Sequence, residues 1–166
     1  MMDASKPIRR KDREMDATQT RLLLERGEFG ILATLGKDGK PYGVPLSYVL
    51  LDGAIYAHCA VEGRKLDNIR HCPDVTFSIV DGVKPFTYKN GMEFSTTYES
   101  ACVEGRTAEV LDEAEKIKAL VALVEKYMPD DAALAGESAR RSLRHTVVLK
   151  ITPTQVRGKT RRHEEV

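Results

Sequence analysis

The sequence predicts a mainly β, α+β fold in which an antiparallel barrel is flanked by helices. Three observations support it: the β-prone runs come in pairs without β-α-β alternation, two Asp-Gly turns join the first three runs, and capped amphipathic segments mark helices. The 166 residues are enough for one domain with its own core. We expect a single domain over 1–166, with an N-terminal arm (1–16) and a helical region (112–143).

The composition is that of a globular protein with balanced charge. The 26 Lys and Arg residues against 25 Asp and Glu give a net charge of +1, which removes the broad electrostatic argument for a nucleic-acid or membrane partner. The three cysteines form no Cys-x-x-Cys pair, and the N-terminus lacks the apolar core of a secretory signal. The longest apolar run, 42–51, is only half a membrane span. We therefore expect a cytoplasmic protein, with no nucleic acid and no membrane as partner.

Helices are predicted from capping residues and apolar spacing. Asp16, with Gln19 three residues on, is typical of a capping box that begins a helix, and Gly27 is placed to end that helix. A short helix is expected at 63–72, and a weaker helical stretch at 131–142. The clearest helix, 113–128, is capped by Asp112. It carries an apolar stripe at helical spacing, made of Ala114, Ile117, Leu120, Val121, Val124 and Met128.

Six β-prone runs are expected to form the strands: 30–35, 41–51, 54–60, 74–80, 92–110 and 145–151. Two prolines in the second run favour an edge or bulged strand over a central one. In the fourth run, alternation predicts that Val75, Phe77 and Ile79 point inward. The fifth run is expected to bend at Gly105. We expect a loop at 81–90 and a basic tail that begins near Arg157.

The turn from the third strand into the short helix has the chemistry of a phosphate site. Gly63 removes side-chain bulk, and a helix N-terminus offers free N–H groups and a partial positive charge. Arg64 and Lys65 add two full positive charges at the same place, where cations are mildly unfavourable unless an anion is bound. The alternative is that both side chains belong to a solvated first turn.

The neighbouring strand offers Pro45, Leu46, Ser47 and Tyr48. A proline removes one ladder donor, so the strand edge together with Ser47 could hydrogen-bond a planar heterocycle, and Tyr48 could stack on a ligand or pack in the core. From these residues alone, a bulged edge strand with one core tyrosine is the better interpretation.

His58 lies within an apolar strand, where a lone histidine is more often structural, although its pKa range suits proton delivery at neutral pH. Cys59 and Cys102 are expected to be small buried hydrophobes. The four histidines show no metal-ligand spacing, so we expect no metal site. The absence of Gly-x-Ser-x-Gly, P-loop and Gly-x-Gly-x-x-Gly motifs argues against the usual serine hydrolases, P-loop nucleotidases and Rossmann dehydrogenases.

An ordered set of short segments resembles the pyridoxamine 5′-phosphate oxidase-like FMN-binding split-barrel superfamily, and within it the nitroimidazole-resistance (Nim-like) proteins. The set extends over roughly residues 8–110. It comprises RRKDRE (9–14), GILAT (30–34), GKPYGVPLSY (39–48), IYAHCA (55–60), GRKL (63–66) and YESACVEGR (98–106). The resemblance implies a six-stranded antiparallel split β-barrel, a homodimer, and FMN bound in clefts between the protomers.

The resemblance also implies roles for particular residues. Gly63, Arg64 and Lys65 match the turn that holds the FMN phosphate. The ring is expected to contact two strands and one further position: Pro45, Leu46, Ser47, Tyr48, His58, Cys59, Ala60 and Ser100. Ser100 could reach the ring from the other protomer. His58 is the catalytic candidate, in contact with substrate or as proton donor. The implied function is an FMN-dependent oxidoreductase that reduces a small planar acceptor of the nitroheterocycle type.

Two other functions remain open at this point. A haem-binding or haem-handling barrel would use His58 or His71 as axial ligand. An oligonucleotide-binding barrel would rest on the basic segments near both ends, but the chain has only ten aromatic residues and no tryptophan to provide stacking platforms.

Overall fold

The computed structural model describes residues 7–88 and 91–162. Within them, seven strands form one antiparallel sheet in the order β1-β7-β4-β3-β2-β5-β6, and β6 also pairs with β7, which closes a barrel. The strands are β1 (Glu14–Met15), β2 (Phe29–Leu35), β3 (Pro41–Leu51), β4 (Ala54–Cys59), β5 (Asp74–Thr87), β6 (Phe94–Glu109) and β7 (Val147–Arg161). The helices are α1 (Ala17–Arg26), α2 (Arg64–His71), α3 (Glu113–Tyr127) and α4 (Ala135–Ser142).

This architecture confirms the predicted mainly β fold with flanking helices. The six predicted runs are the six long strands, and the two-residue β1 is an addition from the segment expected to be an extended arm. That segment also contains a short 3-10 turn at Lys11–Arg13. The arm gains order because β1 pairs with β7, Glu14 opposite Lys159 and Met15 opposite Gly158. Residues 1–6 of the predicted arm lie outside the described residues.

The predicted helix caps and hairpin turn are present in the structure. Asp16 accepts a hydrogen bond from the Gln19 N–H at 2.7 Å, and the Gln19 side chain accepts one from the Asp16 N–H at 3.3 Å, which is the predicted capping box. Asp112 caps α3 through the Glu115 N–H at 2.7 Å. Asp52 and Gly53 both have positive φ, 51° and 78°, as the β3–β4 hairpin turn requires.

The apolar side chains form two cores. The first fills the barrel, where Tyr48 meets Phe77 edge to face at 4.9 Å, and Val75, Phe77 and Ile79 point inward as predicted. The second lies between the outer surface of the barrel and α3 with α4. Gly30 belongs to the first core, because a Cβ there would lie 2.1 Å from Phe77 Cζ. Among the described residues, no helix has the length and apolar character needed to cross a membrane.

Two expectations about irregular segments are wrong. The loop expected at 81–90 is largely strand, because β5 continues to Thr87 and pairs with β6 beyond a bulge between Asp81 and Lys84. Residues 89 and 90 lie outside the described part. The basic tail expected from Arg157 is also strand, since β7 pairs with β6 as far as Arg161 opposite Tyr98. In both places the partner strand supplies the pairing that the local sequence does not indicate.

The apolar stripe of α3 is rotated from its predicted position. The fully buried residues of the helix are Ala119, Leu120 and Leu123, whereas Ala114 and Met128 at the ends of the predicted stripe are exposed. The rotation follows from packing, because α3 lies between the outer face of the barrel and α4 rather than on one flat surface.

Candidate functional site

Strand β3 changes partner halfway along its length. Residues 41–47 pair with β2, from Leu35 opposite Pro41 to Phe29 opposite Ser47, and residues 48–51 pair with β4. Within the described residues, no strand covers the second edge of 41–47. The predicted edge character is therefore correct for this half, which contains both prolines. It is wrong for the strand as a whole, because β3 lies between β4 and β2 in the sheet order.

Ser47 and His58 lie on the two sides of the resulting opening. Tyr48 and Ala57 form the last pair between β3 and β4. Beyond this pair, the next residue on β3 is Ser47 and the next residue on β4 is His58. These two do not pair with each other, although His58 still pairs with Val148 of β7 on the other edge of β4. Both line one cleft of about 430 Å³, so the sequence-predicted ring-contact and catalytic positions come together where the barrel splits.

The helical region forms the outer wall of this cleft. The apolar lining is contributed mainly by α3 and α4 and consists of Phe29, Leu120, Leu123, Val124, Met128 and Ala139. Hydroxyl-bearing side chains complete the lining: Ser47, Tyr127, Ser138, Ser142 and Thr146. The structure therefore gives the 112–143 region a defined place, as the surface that faces His58 across the cleft.

Lys126 and Tyr127 anchor the end of α3 at the point where β2 begins beside β3. The Tyr127 hydroxyl accepts a hydrogen bond from the Tyr48 N–H at 2.9 Å and lies within hydrogen-bonding distance of the Glu28 and Tyr48 carbonyls. Lys126 Nζ donates to the carbonyls of Gly27 and Tyr48 at 2.7 and 3.0 Å, and desolvation lowers its pKa to about 8. Sequence reasoning missed both residues, since their partners lie 78–99 positions away.

The N-terminus of α2 carries the predicted phosphate-binding residues. Gly63 has φ +129° and nothing within 4 Å of a Cβ position, so the backbone here is open and suited to glycine. The Arg64 guanidinium lies 4.7 Å from the centroid of the Tyr42 ring, on the uncovered half of β3. Neither Arg64 nor Lys65 forms an ion pair with a carboxylate in the described ranges. Two cations at a helix N-terminus without a counter-charge form an arrangement that an anion would stabilise.

Lys65 also affects the two titratable groups at the end of β4. Desolvation, and then the Lys65 ammonium, lower the pKa of His58 below its ordinary value of 6.5, so the imidazole is mostly neutral at pH 7. Desolvation raises the pKa of the Cys59 thiol, while Lys65 acts in the opposite direction. His58 can therefore act as a neutral hydrogen-bonding group, and Cys59 is a thiol rather than a thiolate.

The remaining predicted site residues occupy three environments. Pro45 is exposed on the outer side of β3, and Leu46 packs partly against the barrel core. The Tyr48 side chain is fully buried and donates to the Leu24 carbonyl at 2.8 Å, so it packs rather than stacks on a ligand. Ala60 is exposed just after β4.

Ser100 lies away from the cleft within one protomer. It belongs to β6, opposite Val80 on one side and Lys159 on the other, and its hydroxyl donates to the Lys159 carbonyl at 3.3 Å. The structure therefore joins Ser47 with His58, and Arg64 with Lys65, but leaves Ser100 outside both groups. Within residues 7–88 and 91–162, no three His, Cys, Asp or Glu side chains are placed to hold a metal ion.

The fold matches solved structures at low sequence identity. A Bacteroides thetaiotaomicron protein assigned to 5-nitroimidazole antibiotic resistance superposes with a TM-score of 0.75 at 22% identity, covering 89% of this chain and 86% of that one. A FAD-binding protein from Mesorhizobium loti gives a TM-score of 0.65 at 24% identity, with 90% and 98% covered. A FAD and heme binding protein from Mycobacterium smegmatis gives 0.79 at 19% identity, with 91% and 74% covered.

These likenesses are below 25% identity and establish the fold alone. No curated protein matches the chain in sequence. The sequence profile described as pyridoxamine 5′-phosphate oxidase, however, matches residues 16–160, which include every strand from β2 to β6, most of β7 and all four helices. The split barrel, the uncovered half of β3 and the cationic N-terminus of α2 are thus those of a chain that belongs to the pyridoxamine 5′-phosphate oxidase family.

Proposed function

We propose that the protein is an FMN-dependent oxidoreductase, with the cofactor bound along residues 41–47 of β3. One observation carries the proposal: the uncovered strand edge runs between the two cations that begin α2, which form no ion pair with a described carboxylate, and the cleft at Ser47 and His58. The flavin phosphate would lie at the Arg64 and Lys65 end of this strand edge, and the planar flavin ring would lie at the Ser47 and His58 end. The residues present therefore fit a flavin mononucleotide, and solved relatives in fold are described as binding FAD.

The residue roles follow from these positions. Arg64 and Lys65 would hold the phosphate together with the N–H groups that begin α2. Ser47 and the free main chain of β3 would hydrogen-bond the edge of the ring system. His58, on the opposite side of the split, would contact the substrate or donate a proton to it.

A bound flavin supplies hydride and electron transfer between a reduced donor and an acceptor, and the protein supplies binding and orientation. The apolar wall from α3 and α4 would exclude water from the space above His58. We include small planar acceptors of the nitroheterocycle type in the proposal, because the fold is shared with the Bacteroides protein assigned to nitroimidazole resistance.

We propose further that the protein is a homodimer with the cofactor at the interface. The outer face of β2 exposes Phe29, Ile31 and Leu35, and Val80 on neighbouring β5 is 62% exposed, which is unusual for a monomer surface. Phe29 also lines the cleft, so this apolar face continues into the site. Ser100 pairs with Val80 in the sheet, so it lies beside this face, and we propose that it reaches the other protomer's site across the interface.

The dimer is tested by replacing one residue in this face. Ile31→Glu places a charge in the proposed interface and should halve the mass measured by analytical ultracentrifugation. Thr152→Glu, at an exposed position of β7, is the matched control and should leave the mass unchanged. A wild-type mass equal to one chain would refute the dimer.

The cofactor is tested first by the visible absorption spectrum of the purified protein. Two flavin bands, with FMN released on denaturation, are expected. A Soret band that disappears in a His58→Ala or His71→Ala variant would instead favour the haem-binding alternative.

The three cysteines are free thiols, which fits a reducing compartment, and we place the protein in the cytoplasm on that basis.

The phosphate assignment is tested by titrating FMN into the protein after flavin removal. Arg64→Ala combined with Lys65→Ala should weaken FMN binding by about tenfold or more, since charge-assisted hydrogen bonds contribute about 1.5–3 kcal/mol each. Lys37→Ala combined with Lys40→Ala removes two exposed cations from the β2–β3 turn and is the matched control. Equal FMN affinity in the two double variants would show that the assignment is wrong.

A further inference from the structure

We infer that the cleft between His58 and the α3–α4 helices binds an uncharged, flat and largely apolar molecule and excludes anions. As a statement about substrate, this inference rests on the proposed oxidoreductase function. As a statement about binding, it can be tested without flavin.

The lining of the cleft carries the inference. Among the described residues, no Asp, Glu, Lys or Arg side chain lines it. Its walls offer aliphatic and aromatic surface together with the hydroxyls of Ser47, Tyr127, Ser138, Ser142 and Thr146. Hydroxyls can donate to a ring nitrogen, a carbonyl or a nitro group, but they cannot neutralise a full negative charge. A volume of about 430 Å³ lies within the range of small-molecule sites.

The nearby cations do not change this character. Lys126 does not line the cleft, and its ammonium donates hydrogen bonds to the Gly27 and Tyr48 carbonyls. Arg64 stacks on Tyr42 at the other end of the uncovered strand edge. Lys65 acts on His58 at a distance but does not line the cleft, and the proposed flavin phosphate would use both cations. An anion in the cleft would thus lose water without gaining a cationic partner, which is strongly unfavourable.

The lining of the cleft does not suit pyridoxamine 5′-phosphate, the substrate after which the family is named. Pyridoxamine 5′-phosphate is a phosphate ester, and a site for it needs a second anion-binding group besides the one that holds the flavin phosphate. The cleft of this chain provides none in its described lining. The helical region over 112–143 therefore determines specificity, because it contributes eight of the twelve lining residues: Leu120, Leu123, Val124, Tyr127, Met128, Ser138, Ala139 and Ser142.

Two fluorescent probes that differ by one charge test the inference. N-phenyl-1-naphthylamine is neutral, and 8-anilino-1-naphthalenesulfonate is the same ring system with a sulfonate. Both are titrated into the full chain with and without bound flavin. We expect the neutral probe to bind at least about tenfold more tightly than the sulfonate, a difference of about 1.4 kcal/mol.

A charge introduced into the wall should reverse the preference. Ser138→Arg places a guanidinium at the cleft and should weaken binding of the neutral probe and tighten binding of the sulfonate. Met128→Arg, on the wall formed by the end of α3, provides a second test if the first variant folds poorly. Ala133→Arg is the matched control, since Ala133 is exposed in the same helical region but does not line the cleft.

The outcomes separate the inference from the proposed function. Equal binding of the two probes by the wild type, or the same response in Ser138→Arg and Ala133→Arg, would overturn the inference, because the probes would then bind elsewhere. One such place is the cavity of about 590 Å³ beside α1, whose rim carries Arg21 and Arg157. A cleft that prefers the neutral probe in a chain that binds no flavin would leave the inference standing and refute the proposed function.

Discussion

The hydroxyl of Tyr127 takes the place of a pairing strand at Tyr48, next to the start of β2. It accepts the Tyr48 N–H at 2.9 Å and can donate to the carbonyl of either Tyr48 or Glu28. Tyr127→Phe would remove this one oxygen and preserve the ring that packs near Phe29. The Tyr48 carbonyl would keep Lys126 as a donor, but the Tyr48 N–H would lose its partner inside the protein.

The magnitude follows from the unpaired donor. A buried N–H without a partner costs about 1–3 kcal/mol. For a domain of this size, each kcal/mol shifts the melting temperature by about 2–4 °C. A loss of about 2 kcal/mol in the free energy of unfolding should therefore lower the melting temperature by about 4–8 °C.

The assay is thermal unfolding followed by far-ultraviolet circular dichroism, with denaturant unfolding to obtain the free energy directly. Tyr98→Phe is the matched control, because the Tyr98 hydroxyl makes no hydrogen bond with a described residue. Equal melting temperatures for the wild type and Tyr127→Phe would refute the view that α3 closes the strand edge at Tyr48.

Two further predictions concern the barrel core and the ion pair between Glu115 of α3 and Lys150 of β7. Gly30→Ala should cost about 3 kcal/mol or more in urea unfolding, because its Cβ would overlap the fully buried Phe77 ring. Gly43→Ala, whose nearest contact would be an ordinary 3.4 Å, should change the free energy of unfolding far less, and equal losses would contradict the steric argument. Lys150 lowers the pKa of Glu115 below its ordinary value of 4.5, so this contribution to stability is present above pH 4.5 and is lost as the pH falls through the lowered pKa. The difference in stability between wild type and Glu115→Gln should therefore be constant near pH 7 and shrink in acid, and a difference that grows in acid would show that the sign is wrong.

The parts of the fold that were predictable depend on neighbours in the sequence. The Asp16 and Asp112 caps bond three residues ahead, and the turn at Asp52 and Gly53 needs only its own backbone. The continuation of β5 past Asp81 was not predictable in this way. There, Gly82 and Pro85 are typical of a loop, but pairing with β6 keeps the segment extended.

In the candidate site, too, the features that could be predicted are those formed by neighbours in the sequence. Gly63, Arg64 and Lys65 are consecutive, so their chemistry could be recognised from the sequence. The partner change within β3 depends on where β2 and β4 end, and the prolines indicated only that one edge would be uncovered. The contribution of α3 and α4 to the cleft arises from contacts across the barrel surface, which no spacing in the sequence indicates.

The barrel is closed by the strand that a ribosome makes last among the seven. β7 joins β1, β4 and β6, so the edges of β4 and β6 have no other cover until residues 147–161 have been synthesised. A nascent chain that already contains β2 to β6 thus presents two open edges, with apolar residues such as Ile55 and Val103 that are buried only in the closed barrel. Closure of the barrel in the cell must therefore wait until β7 has been synthesised, and any stall within β7 would leave a species prone to aggregate.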